Sequence, residues 1–587
     1  MIVIDVECYT NYFSIGAKKI VSGKVIHVEQ YEGKPLDLKK AKAVMRDTTI
    51  SFNGNNYDLV MIAAALEGRS CEELKKISDT IIKDGRQGWQ ACQDFSIVMP
   101  EWNHIDLFEV TPGRVSLKIY GARLGHKTLM DLPIDPSALI TPVQREQMRN
   151  YCEIDLDVTE RIYKEVTPQL ELREKMSEQY GLDLRSKSDA QIAETVIVSE
   201  LEKLTGKKVK RLNADYEAFR YQDPQIISFQ STQLQQTFQK ILDTEFKLNG
   251  GGNVATPDWM KNSPIVIGQT AYTMGIGGLH SCEKGQYLES DADHNLCELD
   301  VASYYPNIIL QQDLAPTALG SDFLTVYQSI LDRRIKAKRS GDTVTAYTLK
   351  IAVNGSFGKL GSKYSKLYAP ELLIQTTITG QLALLMLIEM LENAGIAVRS
   401  ANTDGVICVV PIGKEDDLDF VKFDWMMDTS YELERTDYRC LASRDVNNYV
   451  AVKTDGSTKG KGAFASQGIA KNPDFPIVAE AVTAYIASGA PLEKTIRSCS
   501  DNLKFCMVRS VTGGAEYDGE VIGKAVRYYK SSSVTADAAL HYVKNGNKVA
   551  KSGGCRPMMN VPNELVADID YDFYIAEAAK FLRGVGC

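Results

Sequence analysis

Glu298-Leu-Asp-Val-Ala-Ser-Tyr-Tyr-Pro-Asn-Ile-Ile309 is the stretch around which the other motifs arrange themselves. It begins by alternating, with Cys297, Leu299 and Val301 on one face and Glu298 and Asp300 on the other, which predicts a short strand. Pro306 ends the strand and Asn307 starts a helix. The geometry delivers the Asp300 carboxylate to a strand end, with two tyrosines on the turn beside it. One acid at a strand end is most often a solvated turn starter. Chemistry there requires a second carboxylate, cations for phosphate and a use for the tyrosines.

The second carboxylate comes about a hundred residues later. Segments 395–400 and 406–410 read as strands joined by Ala401-Asn-Thr-Asp-Gly405. Asn and Asp-Gly favour a tight hairpin turn, which places Asp404 at its tip. Between the two acids the chain turns basic. Segment 326–366 carries nine Lys or Arg against two Asp, in a protein of net charge −9. Arg334 and Lys338 are four apart, as are Lys350 and Asn354, so each pair shares a helix face. A solvated basic face is the ordinary reading of such a run. The same face suits a triphosphate, because lysine supplies point charge and arginine a bidentate fork.

A separate set of acids lies near the N-terminus. Residues 1–7 read as a strand carrying Asp5 and Glu7 on one face. Its acids and lack of a basic n-region set it apart from a signal peptide. Segment 48–52 is a second candidate strand, leading into Asn53-Gly-Asn-Asn-Tyr-Asp58 and an apolar helix that Asp58 alone would simply cap. In the helical segment 144–166, Tyr151 and Asp155 are four apart on one face. Four carboxylates gathered at one place repel unless metal ions neutralise them, and hard oxygen ligands suit Mg²⁺ or Mn²⁺.

Composition bounds these readings. The length, 587 residues, implies two to four domains, and a hydrophobic fraction of 44% is ordinary for a globular protein. The apolar run 382–388 is far short of the roughly 20 residues a membrane helix needs. Twelve cysteines occur without any C-x-x-C pair, which points to reduced thiols and a cytoplasmic setting. Segment 167–260 carries no legible chemistry. Gly275-Ile-Gly-Gly-Leu-His-Ser281 either presents backbone N–H groups to phosphate or forms a tight turn.

Taken together, Asp5-x-Glu7, Asn53-x3-Tyr57-Asp58 and Tyr151-x3-Asp155 resemble the DEDDy 3′–5′ exonucleases, the proofreading type. Asp300-x2-Ser303-Tyr304-Tyr305-Pro306, Lys350-x3-Asn354-x2-Phe357-Gly358 and Thr403-Asp404 resemble motifs A, B and C of the family B DNA polymerases, in that family's order. The resemblance covers nearly the whole chain and is weakest over 167–260. Its compact size is similar to that of phage members. The short gaps between motifs leave out the insertions of protein-primed ones.

The resemblance implies an α/β and α+β multidomain fold, a ribonuclease H-like exonuclease domain followed by a right-hand polymerase domain. Exonuclease would be 1–188, a connecting region 189–263, palm 264–328 and 365–445, fingers 329–364 and thumb 446–587. Asp300 and Asp404, with the Val301 carbonyl, would hold two Mg²⁺ or Mn²⁺ ions for nucleotidyl transfer. Asp5, Glu7, Asp58 and Asp155 would hold two more, with Tyr151 orienting the attacking water and Lys127 as the nearby cation. Arg334, Lys338 and Lys350 would bind the triphosphate, beside Ser303 and Tyr304. Tyr305 would exclude a ribose 2′-hydroxyl, and Asn354 and Phe357 would pack near the new base pair. Asn53, Gly277, Gly278, Tyr449, Lys459 and Lys461 would contact DNA. In the thumb, segment 523–530 with Lys548, Lys551 and Arg556 would meet backbone phosphates. Implied partners are primed DNA and dNTPs, with a processivity factor, helicase or single-strand-binding protein as accessories and no membrane. The setting would be the cytoplasm, that of a host if the gene is phage-encoded.

Six positions depart from the family pattern. Asn402 and Gly405 stand where motif C has Asp and Ser, and Gly355 and Phe357 where motif B has Ser and Tyr. The Tyr of a Tyr-x-Gly-Gly element is missing before Gly277-Gly278, with Tyr272 close by, and Asn447-Asn448-Tyr449 lacks the usual Lys. The changes in motifs B and C keep open a nuclease with a non-catalytic polymerase half; a primase-polymerase and a purely structural DNA-binding protein are further rivals.

Overall fold

Strand β1 (Ile2–Tyr9), buried on both faces rather than alternating, becomes the centre of a five-stranded sheet. Its neighbours are β2 (Tyr12–Lys19), β3 (Val25–Tyr31), β4 (Thr49–Ser51) and β5 (His104–Asp106), in the order β3-β2-β1-β4-β5. β1 to β3 run antiparallel, while β4 and β5 lie parallel in register with β1. Helix α1 (Asp58–Leu66) is apolar almost throughout and buried. α2 (Leu117–Arg123) packs on α3 (Pro142–Glu165), which starts where Thr141 and Gln144 form a capping box and Pro142 takes the first turn. α3 lies on β1, with Cys152 and Leu156 packed against Val3. The computed structural model describes residues 1–211 and 218–587, so 212–217 of the expected connecting region lie outside the described residues.

The sheet belongs to one of two compact units, made of Met1–Ser188, Ser466–Glu480 and Glu493–Ala576. The other takes Asp189–Ala465, Ala481–Leu492 and Glu577–Cys587. The segment expected as one C-terminal domain, 446–587, is therefore divided. Most of it is tied into the first unit by Arg527, wholly buried, whose guanidinium donates to the carbonyls of His126, Lys127 and Met558.

In the second unit, α4 (Asp189–Thr205) precedes β6 (Ile265–Ile267), β7 (Thr270–Thr273), β8 (His280–Ser281), β9 (Gln286–Glu289) and β10 (His294–Val301). Then come α5 (Tyr304–Gln311), α6 (Ser321–Arg339), α7 (Thr343–Leu360) and α8 (Pro370–Asn393). β11 (Ala397–Asn402) and β12 (Gly405–Pro411) form the hairpin, followed by β13 (Leu433–Asp445), β14 (Asn448–Lys453) and β15 (Thr458–Lys461). The strand order is β15-β14-β13-β10-β12-β11-β8-β7-β6, with β9 paired to β13 off that path. Residues 448–461, expected in the thumb, thus complete the sheet that carries Asp300. α8 is long and apolar enough to cross a membrane by length and composition, longer than the expected apolar run, and 83% of that stretch is buried as a core helix.

α4, expected in a chemically silent connector, packs against α6 and α7. Glu194 meets Lys359 at 3.2 Å and accepts the Lys366 N–H at 2.7 Å, and Glu200 meets Arg333 at 3.2 Å. The contact explains Gly355: a Cβ there would lie 2.9 Å from both the Ala193 Cβ and the Asp189 carbonyl oxygen. A serine has no room.

Candidate active sites

Asp300 ends β10, the strand flanked by β12 and β13 inside the sheet. It stands opposite Gly405 on one side and Glu434 on the other. The Val301 N–H donates to the Asp404 carbonyl at 2.7 Å, so backbone hydrogen bonding ties the two acid positions together. The hairpin tip is tighter than Asn and Asp-Gly alone predict. The Asp404 N–H donates to the Asn402 carbonyl at 2.7 Å, closing a three-residue turn with Thr403 at φ +64°. A β-branched residue in that region is strained by about 1–3 kcal/mol. The Thr403 N–H donates to Leu279 O, and Gly278 lies beneath, where a Cβ would come 2.7 Å from the Thr403 Cα. Gly278 therefore supports the tip, whereas a Cβ on Gly277 would meet open space. Gln381, on α8, holds this glycine turn through bonds from its amide nitrogen to Gly275 O and Gly277 O.

Two of the departures acquire a physical reason here. The Asn402 amide donates to the Val446 carbonyl at 3.1 Å, which a carboxylate cannot do. Gly405 leaves space for the Asp300 carboxylate, since a Cβ would lie 2.4 Å from its Oδ1.

Asp300, Thr403 and Asp404 border two cavities. One, of about 330 Å³, is lined by Ser303, Tyr304, Tyr305, Arg334, Lys350, Asn354, Phe357 and Glu434. Ser303, left-handed at φ +49°, caps α5 and accepts a hydrogen bond from Arg334 at 2.9 Å. α5 starts at Tyr304, three residues before the expected Asn307. Pro306 fits its first turn because no N–H is needed there. Tyr305 stacks on Phe357 with ring centroids 4.4 Å apart, while Tyr304 is buried and donates its hydroxyl to Gly380 O, a packing role. Lys338 is not in the lining but reaches Glu434 at 3.7 Å. The other cavity, of about 390 Å³, is lined by Glu298, Asn402, Tyr449, Lys459 and Lys461. Lys459 pairs with Glu298 at 3.2 Å. Tyr272 is fully buried in the core. The protein packed around Asp300, then the Asp404 and Glu298 carboxylates, push its acid up to about 7, and crowding also raises Asp404.

The N-terminal acids also meet. Asp5 and Glu7 project from β1, Asp58 opens α1, and Asp155 with Tyr151 faces them from α3. Asp58 does not cap its helix: Tyr57 is the cap residue, and Asp58 is buried. Asn53, at φ +69°, donates its N–H to Asp106 at 2.8 Å, and Asn55 does the same at 2.9 Å, which fixes the loop before Asp58. Burial, then Asp155, pushes Asp5 up to about 7. Burial and neighbouring acids also raise Glu7 and Asp58. The cation here is Lys118, not Lys127. Lys118 Nζ lies 2.7 and 3.0 Å from the two Asp155 oxygens and 4.0 Å from the Tyr151 ring centre. Lys127 instead donates to Asn563, its backbone tied to Arg527 and Val561. Cys152 Sγ falls within 4.8 Å of the Asp5 and Glu7 oxygens. Burial, then those two acids, holds its thiol well above the usual thiol range.

Both donor sets are hard and oxygen-rich. Asp5, Glu7 and Asp58 have no ion-pair partner among the described residues. Such sets fit a divalent cation.

No family model and no curated protein matches the chain. Among solved structures it is similar to the family B DNA polymerase from the hyperthermophilic archaeon Pyrobaculum calidifontis, with a TM-score of 0.41 and 13% identity. The match covers 100% of this chain and 77% of that one. A likeness of that size does not establish a shared fold.

Proposed function

We propose that the chain is a template-directed, primer-dependent DNA polymerase of the family B type, with a 3′–5′ proofreading exonuclease. The observation that carries this reading is the Asp300–Asp404 pair shared by two cavities. One cavity holds Arg334, Lys350 and the Tyr305–Phe357 stack, and the other holds Tyr449, Lys459 and Lys461. That division suits an incoming triphosphate on one side and a primer end on the other.

Asp300 and Asp404, with the Val301 carbonyl, would hold two Mg²⁺ or Mn²⁺ ions, and Asp5, Glu7, Asp58 and Asp155 two more. When bound, such ions lower the pKa of an attacking hydroxyl or water and neutralise charge on the leaving oxygen. The protein supplies the rest. Arg334, oriented by Ser303, and Lys350 bind triphosphate oxygens, and Lys338 is released from Glu434 to join them. The Tyr305 ring, braced by Phe357, closes the space a 2′-hydroxyl needs. Asn354 borders the base pair. Tyr449, Lys459, Lys461 and the Gly277 backbone meet the primer-template backbone, and Lys459 exchanges Glu298 for a phosphate. In the exonuclease site Tyr151 orients water and Lys118 offsets charge on Asp155. A frayed 3′ end is the substrate there. The compact chain suits a phage genome copied in a host cytoplasm, aided by a processivity factor, helicase or single-strand-binding protein.

Primer extension on a primed template tests this. With Mg²⁺ or Mn²⁺ and four dNTPs the primer lengthens, and without dNTPs it shortens from its 3′ end. No lengthening under either metal contradicts the polymerase reading.

A further inference from the structure

A second basic feature lies away from both acid pairs. α4 ends where Gly206 adopts φ +67° and its N–H closes on the Glu202 carbonyl. From Lys203 to Arg211 the sequence is Lys-Leu-Thr-Gly-Lys-Lys-Val-Lys-Arg, five cations in nine residues. The acid just before it, Glu202, accepts the Val209 N–H at 3.0 Å and Lys208 Nζ at 2.8 Å. Those two bonds fold the run back against its own helix and give it a defined shape. Lys207, Lys208 and Lys210 then line one side of a cavity of about 390 Å³, closed on the other side by Ala318, Leu319 and Asp322. Lys207 and Lys210 are exposed and have no ion-pair partner among the described residues. Together on one cavity, Lys207 and Lys210 favour an anion there.

The cavity is separate from the nucleotide pocket. Asp322 and Arg334 are twelve residues apart on α6, roughly 18 Å along a helix. A triphosphate at Arg334 does not span that distance, whereas a polynucleotide does. Among the described residues the cavity lining holds lysines and no aromatic ring, which points to backbone phosphates rather than bases.

We propose that the Lys207–Lys210 cavity binds backbone phosphates of a single DNA strand, as a contact distinct from the polymerase centre. The strand is the unpaired template if the polymerase reading holds, and on that point the proposal rests on that reading. The expected signature is electrostatic. Each phosphate contact to single-stranded DNA adds about 0.7 to the salt slope of log K, so two add about 1.4.

The test is fluorescence anisotropy of a labelled 30-nucleotide single strand with the full chain, across a salt series. Wild type is compared with Lys207→Ala/Lys210→Ala and with Lys207→Arg/Lys210→Arg, and inorganic tripolyphosphate is titrated as competitor. The alanine variant is expected to bind about tenfold more weakly at low salt, with a slope smaller by about 1.4. The arginine variant retains both. The alanine variant is also expected to extend a primer whose template overhang is two nucleotides at the wild-type rate. Unchanged affinity and slope in the alanine variant overturn the proposal. So does a variant that loses tripolyphosphate binding alone, which makes the cavity a small-anion site. A wild type that binds the single strand but never extends a primer removes the polymerase reading and leaves the cavity to be judged by its slope.

Discussion

Lys118 shows how much one cation changes at the N-terminal acids. It pairs with Asp155 at 2.7 Å and lies over Tyr151, while Asp5, Glu7 and Asp58 have no ion-pair partner among the described residues. Lys118→Ala is expected to slow single-strand 3′ degradation by about 10²-fold, whereas Lys127→Ala leaves it within about twofold; equal effects in a gel assay would return the role to Lys127. The raised acids have a consequence for stability. Asp5 and Asp300 are pushed up to about 7 from 3.8. Between about pH 4 and 7 the folded, metal-free protein holds protons that the unfolded chain has released, so stability falls as pH rises through that window. In chelator, calorimetry should show Tm dropping from pH 5 to pH 8, less steeply in Asp300→Asn, with Mg²⁺ restoring Tm at pH 8. A Tm that climbs over that range contradicts the raised acids. At Tyr305, replacement by Ala should raise ribonucleotide incorporation relative to deoxyribonucleotide by about 10–100-fold. An unchanged ratio in single-nucleotide assays removes the gate. Asp300, Asp404 and the N-terminal acids were legible because motif spacing names residue types. Lys118 was not, because nothing local in Leu-Lys-Ile-Tyr says that α2 will turn its lysine toward an acid 37 residues away.

At the scale of elements, alternation read β10 correctly because Cys297, Leu299 and Val301 bury one face, whereas β1 is buried on both faces, with Ile4 and Val6 on one side and Val3 beside the acids on the other. The start of α5 was misplaced because proline was read as a boundary, although the first helical turn accepts it. The role of α4 was hidden for a different reason. An amphipathic helix announces that it will pack, not against what, and its partners α6 and α7 begin more than a hundred residues later. The contact makes Gly355 a packing residue. Gly355→Ser should cost about 1–3 kcal/mol, seen as a lower midpoint in urea, and primer extension should fall with it as α7 shifts. A serine variant as stable as wild type would mean that α4 and α7 are not packed this closely.

For the whole molecule, chain order misled at the C-terminal end. Segment 446–587 looked like one basic domain, but β14 and β15 complete the sheet that carries Asp300 while Arg527 buries itself in the other unit. Several of its cations are structural rather than free for phosphate: Lys530 is buried on Gly553 O, Lys551 pairs with Asp474 at 2.7 Å, and Arg556 with Asp568 at 3.1 Å. The two acid clusters fall in different units, so their activities should be separable by mutation. The most direct measurement is a primer-template assay with and without dNTPs on wild type, Asp404→Ala, and Asp5→Ala/Glu7→Ala. The account predicts that Asp404→Ala loses extension by at least about 10³-fold yet still degrades single-stranded 3′ ends, and that the double variant does the reverse. Substantial extension by Asp404→Ala, or undiminished degradation by the double variant, would contradict it.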